Sequence, residues 1–183
     1  MSEIFLAPFC EKADGYRLNI KRPFSRAGFT WATDGRILVR VPLRADVEEN
    51  PNAPHAERLF PDLADVTFAP LPSVKWPEMP TRAECKWCEG RGTQHDCPHC
   101  TCTCNECEGT GKDISAAGVI VRGLHFNVAY IRLLLALPGL EFTTKPKEGQ
   151  PAPFRFEGGE GVLVPMRGES RYCNLGDIEK LPR

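Results

Sequence analysis

The chain has 183 residues, of which 42% are hydrophobic and 26% charged, and its formal net charge at pH 7 is −1. This composition suits one domain, alone or with a smaller module, and no apolar run is long enough to cross a bilayer. The N-terminal residues Met1-Ser2-Glu3 place an acid where a secretory signal has basic residues. We therefore expect a cytoplasmic protein, in a compartment where thiols stay reduced and clustered cysteines usually bind metal.

Charge is distributed unevenly along the first third of the chain. Seven basic residues in 16–44 face one acid, whereas six acids in 46–65 face one basic residue. The basic residues are Arg17, Lys21, Arg22, Arg26, Arg36, Arg40 and Arg44. Two interpretations stay open: these residues form a surface that binds nucleic acid phosphates, or alternating strands place them on a solvated face.

The first predicted elements are strands. The segment Phe29–Pro42 predicts a β-hairpin, because Asp34-Gly35 is a favoured turn dipeptide between flanks rich in aromatic and β-branched residues. An earlier strand over Tyr16–Lys21 is expected to pair with it. Prolines recur through 46–81, and proline removes a backbone donor and blocks helix interiors. We predict an extended surface connection there, with a short helical turn at His55–Leu59.

Seven of the nine cysteines lie in 85–107, in a segment that begins and ends with the same motif. The first repeat, Cys85–Gly92, reads CKWCEGRG, and the last repeat, Cys104–Gly111, reads CNECEGTG. Two CxxC pairs at this spacing are typical of a zinc site rather than of a disulfide framework. The glycines permit positive φ, so that backbone N–H groups can turn toward the thiolate sulfurs.

After the cysteines, the pattern predicts a strand, a helix and three more strands. The helix is Asn127–Leu137, with Asn127 as its N-cap and Pro138-Gly139 at its end. The strands are Gly118–Arg122, Leu140–Thr144, Pro153–Glu157 and Gly161–Pro165, the last two joined by a tight turn at Gly158–Gly161. The fold class is therefore α+β: β-hairpins and one main helix in a domain of two halves, residues 1–81 and 113–183, with a zinc-binding insertion over 82–112.

Two stretches of the chain resemble domains of the DNA polymerase III β-subunit, the bacterial sliding clamp. The hairpin Ala32–Leu38 (ATDGRIL) is similar to a hairpin of that family. The later order of strand, helix and strands, ending in Val164-Pro165-Met166-Arg167, is similar as well. The resemblance implies a clamp-like domain rather than clamp activity, since the chain has room for only one such domain and its predicted helix offers only Arg132 as a basic residue.

The cysteine segment resembles the zinc-binding region of DnaJ-type co-chaperones, whose CxxCxGxG repeats pair first with last and second with third. The outer repeats match this pattern closely, whereas the inner pairs are compressed into His95–Cys102 and lack glycines. The His-Pro-Asp signature of a J-domain does not occur in the sequence. The resemblance implies a module that makes protein contacts, and a DnaJ-like client-binding protein is one alternative function.

The outer pairs supply four thiolates for one tetrahedral zinc, which leaves no position for water and indicates a structural metal. These ligands are Cys85, Cys88, Cys104 and Cys107. A second site can be built from three further thiolates and one imidazole. Its ligands are Cys97, Cys100 and Cys102 with His95, or with His99 in place of His95. His95 is preferred because His99 lies inside the Cys97–Cys100 pair. Two zinc ions are expected and one is the minimum, with iron–sulfur binding as the alternative. Cys10 and Cys173 are expected to be small buried residues.

The sequence contains no HExxH or GxSxG signature, so we expect no enzymatic activity. The cysteine module (residues 82–112) has four basic and five acidic residues, and metal-bound thiolates add negative charge that disfavours a phosphate backbone. Trp87 is expected to be exposed there and to anchor a protein partner. We expect a non-enzymatic zinc-binding accessory protein, whose size and replication-like resemblance fit a phage-encoded regulator of a host nucleic-acid machine. The other alternative is a DNA- or RNA-binding module that uses the basic 16–44 surface.

Overall fold

The computed structural model describes residues 4–11, 20–76, 84–85, 87–97, 100–104, 109, 111, 117–166 and 174–183. These residues form a mixed α+β fold, which confirms the predicted class, with twelve strands and one α-helix, α1 (Val128–Leu135). The first half contains β1 (Phe24–Arg26), β2 (Phe29–Thr33), β3 (Ile37–Pro42) and β4 (Phe68–Pro70). The cysteine module contains β5 (Thr93–Cys97) and β6 (Cys100–Thr103). The second half contains β7 (Gly118–Val121), β8 (Leu124–Asn127), β9 (Glu141–Thr143), β10 (Ala152–Phe156), β11 (Gly159–Leu163) and β12 (Asn174–Asp177).

Seven of these strands form one antiparallel sheet in the order β1-β2-β3-β11-β10-β9-β4. Strand β3 from the first half pairs with β11 from the second half, with Val39 opposite Gly161. A second sheet has the order β12-β7-β8, in which β12 runs parallel to β7. Strands β5 and β6 form a separate hairpin inside the cysteine module. The segments before and after the module therefore share one sheet.

The predicted hairpin over Phe29–Pro42 is confirmed as the pairing of β2 with β3. Its turn is closed by Asp34, whose Oδ1 accepts the N–H groups of Arg36 at 2.8 Å and Ile37 at 3.1 Å. The Tyr130 hydroxyl on α1 donates to the other carboxylate oxygen of Asp34 at 2.5 Å. Burial and this hydrogen bond raise the pKa of Tyr130 to about 12. The turn thus serves as a docking point for the helix.

The strand predicted over Tyr16–Lys21 falls mostly on residues 16–19, which lie outside the described residues, and Ile20 and Lys21 are not in a strand. The partner of β2 is instead β1, where Phe24 lies opposite Trp31. Proline at position 23 limits how far this edge strand can extend, because proline lacks a backbone donor.

Strand β3 places apolar side chains on both faces of the large sheet, as the alternation of a strand requires. Ile37 and Val39 belong to the larger core, which also holds side chains from α1 and from β7. Leu38 belongs to a smaller core on the opposite face, together with Trp31 and Val162. Both faces of the large sheet are therefore covered near β2, β3 and β11.

The prediction of a simple surface connection over 46–81 is incomplete. Ala53, Ala56 and Phe60 from this segment pack into the smaller core, and Phe68–Pro70 form the edge strand β4. The predicted helical turn at His55–Leu59 is confirmed as a short 3-10 helix over Ala56–Arg58. The prolines keep the segment out of regular helix, but they do not prevent its few apolar residues from covering the sheet.

The predicted helix is confirmed, although it is shorter than expected. Asn127 caps α1, since its side-chain oxygen accepts the Ala129 N–H at 2.8 Å. Val128, Ile131 and Leu134 are its buried residues. The helix ends at Leu135 rather than at 137, with Ala136 as its C-cap at φ −82° and ψ −9°. Pro138 disfavours the helical region for Leu137, the residue directly before it.

The last two predicted strands exist but begin earlier than expected. The turn that joins them takes only Glu157 and Gly158, and Gly159 and Gly161 belong to β11 rather than to the turn. A Cβ added to Gly161 would lie 2.3 Å from Cζ of Phe154, and one added to Gly159 would lie 2.5 Å from Cζ of Phe156. Glycine is therefore required at both positions because the rings of Phe154 and Phe156 on β10 occupy the space of a side chain. The prediction of a turn did not anticipate this packing.

The strands β4, β8 and β12 were not predicted. The hairpin β7–β8 turns at Arg122 and Gly123, whose φ values of 49° and 86° match the two positive φ angles of a type I′ turn. The Arg122 guanidinium leaves this turn and donates to four backbone carbonyls on β9 and β4: those of Phe142, Thr143, Ala69 and Pro70. Burial lowers the pKa of Arg122 from its usual value. One side chain thus fastens the small sheet to the β9–β4 edge of the large sheet.

Replacing Arg122 with Lys should lower the free energy of unfolding by about 1–3 kcal/mol, because one ammonium group cannot serve four carbonyls spread over two strands. The substitution keeps the positive charge and the same demand for a positive φ, so it isolates the loss of the planar donor group. Urea unfolding followed by circular dichroism measures the difference. Arg58→Lys at an exposed position is the control, for which we expect a change within about 0.5 kcal/mol. Equal stability of both variants would contradict this role of Arg122.

Candidate metal centre

The first repeat, Cys85–Gly92, folds as a tight double turn around its two cysteines. The Gly90 N–H donates to the Cys85 carbonyl at 3.2 Å, and the Arg91 N–H donates to the Cys88 carbonyl at 3.0 Å. The Gly92 N–H donates to Cys88 Sγ at 3.2 Å. Hydrogen bonds of this kind stabilise a thiolate, so the backbone is arranged for metal ligation.

The last repeat, Cys104–Gly111, has the same local contact, since the Gly109 N–H donates to the Cys104 carbonyl at 3.2 Å. The repeats are also linked reciprocally. The Cys85 N–H donates to the Gly111 carbonyl at 3.0 Å, and the Cys104 N–H donates to the Gly92 carbonyl at 2.9 Å. Each repeat therefore ends beside the first cysteine of the other, in an approximately two-fold arrangement, and the chain enters and leaves the pair of repeats at neighbouring points.

Two of the four glycines have no room for a side chain. All four have positive φ: 78° for Gly90, 74° for Gly92, 80° for Gly109 and 68° for Gly111. A Cβ on Gly92 would lie 2.3 Å from the Gly109 carbonyl oxygen, and one on Gly111 would lie 2.1 Å from the Gly90 carbonyl oxygen. The sequence indicated positive φ, but not that the repeats press their backbones together through the final glycine of each. The identical position of that glycine in both repeats was the available signal.

Three cysteines from the two repeats meet in the interior of the module. Cys85, Cys88 and Cys104 are buried, and their sulfur atoms all lie within 4.8 Å of one another. Sγ of Cys85 is 4.0 Å from Sγ of Cys104, twice the length of a disulfide bond, which is about 2.05 Å. Thiolates held by one zinc at about 2.3 Å with tetrahedral angles lie about 3.8 Å apart. The three thiols are thus close enough to bind one metal ion, and Cys107, the fourth predicted ligand, lies outside the described residues.

The residues predicted for a second site lie in and around the β5–β6 hairpin. Its register sets Cys97 opposite Cys100 and Gln94 opposite Cys102, with an irregularity between Gln94 and Cys97. Cys102 is exposed. His95 is in β5, and His99 lies outside the described residues. The register therefore places Cys97 and Cys100 at the turn end of the hairpin and Cys102 near its open end. Among the described side chains, the cysteines close enough to share a metal ion are Cys85, Cys88 and Cys104.

Trp87 is 71% exposed, which confirms its predicted exposure. It lies between Cys85 and Cys88, so the same turn that buries two thiols projects this indole into solvent. Arg91, close by in the repeat, is held to the module: its Nε donates to the Cys88 carbonyl at 3.1 Å, and its guanidinium lies 3.7 Å from Glu89.

Cys10 lies in the larger core, as predicted for a small buried residue. Its thiol donates to the Leu6 carbonyl at 3.8 Å, and burial raises its pKa to about 11. Such a thiol is a poor nucleophile and a poor metal ligand at neutral pH. Cys173 lies outside the described residues.

Two of the basic residues of 16–44, Arg26 and Arg44, form ion pairs with the acidic segment that follows them, with Glu57 and Asp46 respectively. Arg26 donates to the Pro51 and Ala53 carbonyls at 3.1 and 3.2 Å, and its Nε lies 3.5 Å from the Glu57 carboxylate. Lys21 and Arg22 line a groove together with acidic residues of that segment: Asp46, Glu48 and Glu49. Two runs of opposite charge in the sequence thus meet in the structure.

Arg40 is held in a different way. Its guanidinium binds Glu160 on β11 at 2.5 and 2.8 Å and lies over the rings of Phe29 and Phe60, 4.5 and 3.9 Å from their centroids. Arg36 follows the hairpin turn near Tyr130, with which it interacts. Arg17 lies outside the described residues. The candidate nucleic-acid residues are therefore divided among separate contacts.

Comparison with protein-family models, with curated proteins and with solved structures gave no match to this chain. Among the described residues, no helix has the length and apolar character needed to cross a membrane. The interpretation of the site therefore depends on its geometry.

Substituting Ala for Gly92 or Gly111 should weaken zinc binding about 10- to 100-fold, which corresponds to 1–3 kcal/mol, because the new methyl group would collide with a backbone carbonyl of the other repeat. Competition with a zinc chelator measures the affinity. Gly90→Ala and Gly109→Ala are matched controls with the same positive φ. Their new Cβ would have side chains as its nearest contacts, Glu84 at 3.3 Å and Thr103 at 3.0 Å, and the Gly92 carbonyl oxygen would lie 3.8 Å from a Cβ on Gly109. If all four variants lose affinity equally, the φ requirement alone explains the glycines and the contact between the repeats does not matter.

Metal removal should change which cysteines react with N-ethylmaleimide. In the zinc-loaded protein we expect Cys85, Cys88 and Cys104 to be protected, and to react within minutes once a chelator removes the metal. Cys10 should stay protected in both samples, because its burial belongs to the larger core. Peptide mass mapping locates each modified residue. Modification of Cys10 on chelation would show that the metal supports the whole fold, and unchanged protection of the three cysteines would argue against metal ligation.

Proposed function

We propose that this chain is a non-enzymatic, zinc-binding accessory protein that uses its cysteine module to dock a protein partner. The observation that carries the proposal is the first repeat itself. One short turn buries the thiols of Cys85 and Cys88 beside Cys104 and leaves the Trp87 indole largely exposed. A buried set of soft ligands favours a structural metal, and an exposed aromatic residue on a rigid turn is a common anchor for protein contacts.

Zinc is proposed as the metal because thiolate ligands at this spacing suit it in a reducing compartment. Cys107 would supply the fourth ligand of the first site, which then has no open position for a substrate or a catalytic water. For the second site, Cys97, Cys100 and Cys102 with His95 would supply three thiolates and an imidazole. Two filled sites would stabilise the module without contributing reactivity, which supports a binding role over catalysis.

The rest of the chain is proposed to be a single clamp-like domain. Support comes from the order of its elements, in which the hairpin β2–β3 is followed by the strands β7 and β8, the helix α1, and the strands β9, β10 and β11. These last three strands join the same sheet as the hairpin. A phage-encoded regulator of a host nucleic-acid machine fits this proposal, because a lone clamp-like domain can contact such a machine without encircling DNA. A DnaJ-like client-binding role would use the same module.

Direct nucleic acid binding has less support from the contacts. Arg26 and Arg40 each have a carboxylate and further partners within the chain. Releasing such a residue to bind a phosphate would break these contacts and leave the carboxylates unpaired. The acidic cysteine module would add repulsion. These observations favour a protein partner.

A pull-down from native host cells tests the proposal, with metal analysis of the same sample. We expect two zinc atoms per chain and a captured protein whose recovery falls at least about tenfold in Trp87→Ala, since truncating an anchor residue typically costs more than 1 kcal/mol. Zinc content should stay unchanged in this variant. Phe5→Ala is the control, because Phe5 is 75% exposed outside the module.

Three results would contradict parts of the proposal. Capture unaffected by Trp87→Ala would remove the docking role of the module. A single zinc per chain would exclude the second site. Micromolar or tighter binding of mixed-sequence DNA that falls steeply with added salt would favour the nucleic acid alternative.

A further inference from the structure

We infer that the partner surface recognised at Trp87 is a basic polypeptide segment, rich in arginine or lysine. This inference rests on the proposed docking function and specifies its chemistry. Three features of the described residues support it: the exposed Trp87 indole, the exposed Glu84 and Glu89, and the buried thiols of Cys85, Cys88 and Cys104.

Exposed carboxylates flank Trp87 in the sequence. Glu84 is exposed just before the first repeat, and the Glu89 side chain, directly after Cys88, is 78% exposed. The Arg91 side chain is 53% exposed, donates to the Cys88 carbonyl and lies 3.7 Å from Glu89. An exposed indole attracts cations, and a guanidinium stacks on tryptophan better than on any other residue.

Metal loading makes this surface more negative. A zinc ion with four thiolates carries a net charge of about −2, and the module contributes four basic and five acidic residues. Cys85 and Cys88 belong to the same turn as Trp87, so two of the charged sulfur atoms are carried by residues close to the indole in the sequence. A low-dielectric interior screens such charges weakly, and the field therefore reaches a bound partner.

A second copy of this chain is a poorer occupant than a separate basic segment. Arg26, Arg40 and Arg44 are each paired with a carboxylate in their own chain, at 3.5, 2.5 and 2.6 Å respectively. Presenting them to a neighbouring module would require breaking those pairs. A segment with unpaired arginines, by contrast, loses only hydration on binding.

Fluorescence anisotropy of the full zinc-loaded chain tests the inference, with a labelled peptide of alternating arginine and glycine as the probe. We expect binding that weakens at least about fivefold between roughly 50 and 200 mM salt, and no binding of the matched glutamate–glycine peptide. Trp87→Ala should weaken binding about tenfold, and Trp87→Phe should weaken it less. Glu89→Gln should weaken it about twofold, while the control Glu148→Gln, at an exposed site outside the module, should have no effect.

A second measurement does not depend on variants that might misfold. Trp31 is fully buried and Trp76 is half-buried, so quenching of tryptophan fluorescence by ions reports mainly on Trp87. Relative to their quenching of free N-acetyltryptophanamide, cesium should quench it more than iodide in the metal-loaded chain, and a chelator should reduce that preference. Preferential quenching by iodide on the same normalised scale, equal binding of both peptides, or tighter binding of a single-stranded oligonucleotide would overturn the inference. Capture of an acidic host protein through Trp87 would overturn it as well and leave the docking function intact.

Discussion

The pairing of β3 with β11 is the constraint on which the rest of the domain depends. It joins residues about 120 positions apart, with the Arg40–Glu160 ion pair at one end and Ile37 opposite Leu163 at the other. Because β3 faces both cores, this pairing sets which side chains reach α1 and which reach the acidic segment. The cysteine module lies in the chain between the paired strands, and none of its described residues belongs to either core. The segments before and after the module hold the domain together through their shared sheet, so the module can change in sequence without disturbing that sheet.

Local patterns in the sequence were sufficient for the elements whose signals are contained within a few residues. Short sequence motifs predicted three local structures correctly: the turn at Asp34-Gly35, the helix cap at Asn127 and the tight turns of the CxxC repeats. The strands β4 and β12 are short and pair with strands distant in the sequence, β9 and β7 respectively, so no local pattern marks them. Strand β8 forms a hairpin with the adjacent β7 through the Arg122-Gly123 turn, a local signal that the sequence analysis missed. Proline density around β4 even argued against a strand, although Pro70 is tolerated there because β4 is an edge.

In the candidate metal centre, too, local features were predictable from the sequence and contacts between separate segments were not. Ligand types and spacing predicted which thiols of the outer pairs meet, and three of the four are found together. The contact between the final glycines was not predictable from one repeat alone, since it requires knowing that the repeats face each other. The basic run in 16–44 and the acidic run in 46–65 were visible in the sequence. Whether the basic residues are available to a phosphate depends on whether the two runs pair in the fold, which the sequence does not show. Arg26 beside Glu57 and Arg44 beside Asp46 show that the two runs pair in part within the fold.

The hydrogen bond between the Cys85 N–H and the Gly111 carbonyl has a consequence for evolution. A segment whose two ends lie side by side can be acquired or lost in a single genetic event, because its host needs only a gap of one strand spacing rather than a new path through the fold. The entropy cost of closing a loop rises only slowly with its length, so inserting the module would lower the stability of an ancestral domain only slightly. A related domain without the module could therefore keep its seven-stranded sheet.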